Sequence, residues 1–153
     1  MRAAHAGELM VPLALAGKRV RVVGSADQPH SFTYVPDYAR AMIAAARTPA
    51  AWDSVLHAPT GSAVTQRALV QAFAAAAATT AKVSLLPALV LSAGALVPGS
   101  LRELAETRYR FEAPFVTDSH HTEALLDLSP TPLPEAAAET VASGARPAVS
   151  EGG

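Results

Sequence analysis

The chain has 153 residues, half of them hydrophobic and 16% charged, with a net charge of −1 and no cysteine. That balance suits one folded domain with a real core. It excludes disulfides, thiolate nucleophiles and cysteine metal sites, and the scattered basic residues form no stripe that would neutralise phosphates, so nucleic acid is not expected as a partner.

In chain order, a helix is expected over about 7–16, stopped by Gly17. "KRVRVVG" reads as a strand through Val20, Val22 and Val23, closed by Gly24. "SADQPH" is a loop of turn formers. "SFTYV" is the next expected strand, with Phe32 and Tyr34 on one face and Pro36 ending it. Asp37 is then placed as the N-cap of a helix running to about Arg47, whose apolar surface includes Ala41, Ile43, Ala44 and Ala45. "SVLHAP" is a third strand, and Thr65 caps an amphipathic helix over about 66–78 built on Leu69, Val70, Phe73 and Ala77. "KVSLL" is a fourth strand. Helices are expected over 88–97 and over "SLRELAETRYRF", the second with a capping box at Ser100 and Glu103. "PFV" is a short extended piece, 119–127 a turn or two of helix, and "LPEAAAETVASGA" a last helix with Pro134 at its first position. The fold class is therefore α/β (α+β), a small mixed sheet with several helices.

Residues 83–101 carry no charge, but Pro87 and Pro98 confine any helix there to about ten residues, roughly 15 Å, against the ~30 Å of a bilayer core. No membrane span is expected. "MRAAHAGELM" has no apolar stretch of leader length, and the lack of cysteine fits a reducing cytoplasm, the expected location.

The sequence lacks the residues that the common motifs of chemistry need. No closely spaced glycines cradle a pyrophosphate, and "GALVPGSL" lacks the lysine of a phosphate loop. His120 and His121, beside Asp118 and Glu123, point about 100° apart on a helix and do not converge on a metal. There is no G-x-S-x-G turn. The residues four beyond Tyr34, Tyr38 and Tyr109 are Tyr38, Met42 and Ala113, so no tyrosine stands one helical turn before a lysine. No catalytic, cofactor-binding or metal-binding residue is assigned. His30 stays open between a ligand contact at a strand end and a loop histidine bonded to backbone.

The order of segments resembles a known family. "ALAGKRVRVVGSADQPHSFTYVPDYARAM" is similar to the part of NAD(P)-dependent epimerase/dehydratase proteins (extended or atypical short-chain dehydrogenases) that follows their cofactor domain. "WDSVLHAPTGSAVTQRALVQAF" resembles the family's later strand and helix, and "RELAETRYRFEAPFVTDSHHTEALLDLSPTPLPEAAAETV" its C-terminal portion. The resemblance implies a substrate-binding C-terminal domain over 1–146, with 147–153 as a disordered tail. It also implies that NAD(P) and the Tyr-x-x-x-Lys proton relay belong to a part outside these residues, leaving this chain inactive alone. A small-molecule substrate and a cofactor-domain partner follow. Gln28, His30 and Ser31 would look into the substrate cleft, and Tyr109 into the cleft or the core. His30 stands where the family's sugar-nucleotide enzymes commonly carry arginine. Histidine offers no bidentate fork to a diphosphate, so a smaller or less charged substrate stands level with a nucleotide sugar. The alternatives are a stand-alone binding module and a truncated gene remnant. A half adapted to pack on a cofactor domain should expose an apolar face when alone.

Overall fold

The structure is a computed structural model that describes residues 5–87 and 108–144. It is a mixed α/β fold, with five α-helices and two small two-stranded sheets among the described residues. Helix α1, His5–Leu15, ends in a turn in which the Gly17 amide donates to Ala14 O and the Lys18 amide to Leu13 O. This is the Schellman pattern, and Gly17 supplies its left-handed residue at φ 63°. Strand β1, Val20–Val22, follows at once. It pairs in parallel with β4, Val83–Leu85, with Val20 opposite Val83 and Val22 opposite Leu85.

Strand β2 is Pro29–His30, paired antiparallel with β3, Val64–Thr65. His30 also forms a parallel bridge to Phe115, which places the expected extended piece at 114–116. The strand expected over "SFTYV" is not formed. The Ser31 amide still donates to Phe115 O, but the chain then turns away, and helix α2 spans Val35–Arg47. Its N-cap is Tyr34 and Pro36 sits in the first turn, where a missing N–H is harmless. Asp37 is therefore inside the helix, not its cap.

Thr65 does cap α3, Gln66–Ala76, accepting from the Ala68 amide at 3.0 Å. The side chain of Gln66 is buried and donates to the carbonyls of Val23 (3.0 Å) and Ser25 (2.7 Å), tying the start of α3 to the end of β1. Tyr109 lies on a 3₁₀ turn, Arg108–Phe111, where a longer helix was expected. The remainder of that helix and the one expected over 88–97 lie outside the described residues. Helices α4, His120–Leu126, and α5, Leu133–Gly144, complete the fold.

One core gathers Met10, Ala14, Val20, Val22, Ala26 and Val70 between α1, β1 and α3, and α5 lies along α3. A second joins Ala41 of α2 to Ala51 and Leu126, with Leu56 packed against it. Helix α2 carries a further apolar side. Val35, Tyr38, Met42 and Ile43 are each at least half exposed. After it, 54–58 runs without pairing to a strand among the described residues. Here the sequence expected a strand. The chain alternates as expected, with Leu56 and Ala58 half-buried and Val55 (92% exposed) and His57 outward, but the amides of Val55, Leu56, His57 and Ala58 make no hydrogen bond.

Candidate functional site

A cavity of about 660 Å³ opens where α1, the 32–37 segment, α3 and α5 meet. Met10 and Val11 reach it from α1, Leu69 and Phe73 from α3, and Ala136, Ala137 and Thr140 from α5. The packing that buries Ala14 and Val70 leaves the next side chains along these helices to line the space.

Its polar groups are mostly committed. Asp37 is 2% exposed, and its carboxylate accepts from the Thr131 amide and hydroxyl, both at 2.7 Å. The Arg40 guanidinium also donates to it and reaches Thr131 Oγ1 at 3.2 Å. These bonds fix the 130–133 wall against the first turn of α2. The Tyr34 hydroxyl donates to Glu139 at 2.6 Å, and that bond, with lesser help from burial and the nearby carboxylates, pushes its pKa up to about 12. Thr33 and Thr60 share a hydrogen at 2.8 Å, and Thr140 donates to Ala136 O. No arginine, lysine or histidine is among the described lining residues. Tyr34 keeps its proton at neutral pH and Asp37 is saturated with donors. The arrangement is suited to holding a molecule, with the proton chemistry left to other groups.

The four residues expected from the sequence sit elsewhere. His30 is buried, 4% exposed, among Phe32, Phe111 and Phe115, with ring centroids 6.2, 5.2 and 6.5 Å away. Its Nε2 has no hydrogen-bond partner, and burial holds its pKa below 6.5, so the ring is neutral. Ser31 Oγ accepts from the Thr117 amide at 2.9 Å. Gln28 is half-buried and Tyr109 is 70% exposed. None of the four lines the cavity. His30 and Ser31 are brought together with 111–117, close to Tyr109 in the chain. The lining residues drawn from α1, α3 and α5 were not singled out by motif. The one signal at hand was the "PTPL" run, which holds Thr131.

Among the described residues, no group of three or more His, Asp or Glu is placed to hold a metal ion, and no helix is long and apolar enough to cross a membrane. His120 Nδ1 donates locally to Asp118 Oδ1 at 2.7 Å.

No family model matches the chain, and no curated protein matches it. Among solved structures it is similar to a nucleoside-diphosphate-sugar epimerase from Staphylococcus aureus, with a TM-score of 0.64 at 16% identity. The likeness covers 86% of this chain and 47% of that one, so this chain spans about half the epimerase's length. At that identity the likeness shows the fold, which is epimerase-like.

Proposed function

We propose that this chain, over residues 1–146, is the substrate-binding portion of an NAD(P)-dependent epimerase/dehydratase-type oxidoreductase, inactive by itself, and that the cavity is the pocket it contributes. The observation that carries this reading is the one-sided coverage: nearly all of this chain aligns, with about half of the epimerase. The resemblance assigns nicotinamide binding and the tyrosine–lysine relay to the other portion. The apolar lining, without a cationic side chain among its described residues, favours a neutral and largely apolar substrate over a nucleoside diphosphate sugar. In this reading Gln28, His30, Ser31 and Tyr109 meet substrate only where a second portion closes over them. A second reading, a module that pairs with a separately encoded cofactor chain, is favoured by the unbonded amides at 55–58.

The test titrates the isolated chain with Nile red as a neutral apolar probe, with UDP-glucose, and with NADPH. Gly61 lines the cavity, and a Cβ built on it meets nothing within 4 Å, so Gly61→Leu adds a side chain at the cavity wall without strain. Nile red should bind, and Gly61→Leu should weaken it about tenfold at unchanged stability, while NADPH and UDP-glucose bind negligibly. Micromolar binding of NADPH by the chain alone overturns the reading.

A further inference from the structure

Cations that are scattered in the sequence are gathered by the fold on the outer side of β1 and β4. Val20 lies opposite Val83 and Arg21 opposite Ser84 in this parallel pair. The ladder begins one residue earlier, where the Val20 amide donates to Lys82 O at 2.8 Å, so Arg19 and Lys82 continue the register. Residues opposite one another, and residues two apart on one strand, share a face of a sheet. Val20, Val22 and Val83 turn to the core. Arg19, Arg21, Lys82 and Ser84 turn the other way. The three cations are exposed, and so is Lys18 in the turn that enters β1.

Two further observations mark this face. No acidic residue occurs at 9–26 or at 54–87, the stretches that carry β1, β3, α3, β4 and most of α1. Arg40 and Arg67 each hold an aspartate, but Lys18, Arg19, Arg21 and Lys82 are paired with no carboxylate among the described residues. The second observation is the register itself. It sets Arg19 beside Lys82, a cross-strand pair of equal charge, with Arg21 about 7 Å further along the first strand. Charges so placed repel, and anions laid over the face would offset the repulsion.

The form of the face selects among anions. None of the four cations lines the cavity, so no enclosure holds a small phosphorylated molecule against them. Residues 16–23 and 79–87 include no aromatic ring on which a nucleic-acid base could stack. Leu85 is exposed, but it lies opposite Val22 and so off this face, which leaves nothing apolar there to enter a bilayer. Arginine is the cation enriched where protein meets protein. Carboxylates two apart on an extended chain recur at the same ~7 Å as Arg19 and Arg21.

We infer that the outer face of β1 and β4 is a docking surface for an acidic segment of a partner protein, extended and carrying carboxylates at alternate positions. Arg19 and Arg21 take successive carboxylates, and Lys18 and Lys82 flank them. This docking is independent of what the cavity holds.

The experiment titrates the full chain, by fluorescence anisotropy, into a short fluorescein-labelled peptide alternating glutamate and threonine. Two further peptides carry glutamine in place of glutamate, or the same residues with the glutamates in one block. The alternating peptide should bind, with affinity falling severalfold between about 50 and about 200 mM salt. The glutamine peptide should not bind, and the block peptide should bind more weakly. Arg19→Glu with Arg21→Glu should weaken binding about tenfold, and Arg47→Glu, on the exposed end of α2, should leave it within about twofold. The double variant should melt no lower than the wild type, because reversal turns the Arg19–Lys82 pair into one of opposite charge. No binding at about 50 mM salt, binding indifferent to the glutamates or to their order, binding unchanged in the double variant, or tighter binding of a DNA duplex or of phosphatidylserine vesicles each overturns the inference.

Discussion

Asp37 shows how one side chain can hold two distant segments together. Its carboxylate is 94 residues from Thr131 in sequence, yet receives both that residue's amide and its hydroxyl while buried. Replacing it with alanine strands those donors and the Arg40 guanidinium. Asp37→Ala should therefore lose about 3 kcal/mol in urea unfolding, and Asp37→Asn about half of that. His30 predicts a pH dependence. Its unfolded imidazole takes up a proton near pH 6.5 and the buried one only at lower pH, because burial disfavours the charge. Above pH 6.5 both states are neutral and the residue contributes no slope. Below it the unfolded state binds more protons, so stability should fall as pH falls, by up to about 1.4 kcal/mol per unit. His120 works in the opposite sense, its pKa raised by the hydrogen bond to Asp118, but it is exposed and screened. The check is denaturation at pH 5.5 and 7.5 for the wild type and His30→Phe. The variant should lose the downward slope below pH 6.5.

At the scale of the elements, the punctuation was legible and the long-range pairing was not. Gly17 and Thr65 end and begin helices as their chemistry requires, one through a left-handed backbone, the other through a hydroxyl on a free amide. Pro36 misled, because a proline after an alternating run marks both a strand end and a helix start. Tertiary bonds decided between them: the Ser31 amide and Oγ are both taken up by 115–117, and the helix begins at Val35. Gly24 has a reason that sequence alone does not reveal. At φ 72° it lets Phe111 approach, and a Cβ there would lie 2.7–2.8 Å from Phe111 atoms that include backbone. Gly24→Ala should cost about 2–3 kcal/mol, read from the denaturation midpoint, with β1 and the 108–111 turn most affected in near-neighbour NMR shifts.

For the whole molecule, the fold class followed from the alternation of short strands and helices, and the candidate site did not. The cavity is walled by residues near 10, 33, 61, 70, 131 and 137, which no local spacing unites. The α2–54–58 surface was half legible, since the extended run was readable but its want of a partner was not. Hydrogen exchange on the isolated chain should separate the two regions. Amides of Val55, Leu56, His57 and Ala58 should exchange at close to unprotected rates, while Val70 and Ala74, both buried in α3, should be slowed by orders of magnitude. Protection of 55–58 in a monomeric sample would contradict the bare backbone described here.

That bare backbone is short. Asp53, left-handed at φ 57°, precedes it, and Pro59, which has no amide, ends it. A protease takes its substrate as an extended strand, so limited digestion of the folded chain should cut first at Val55 or Leu56, before it reaches the helices.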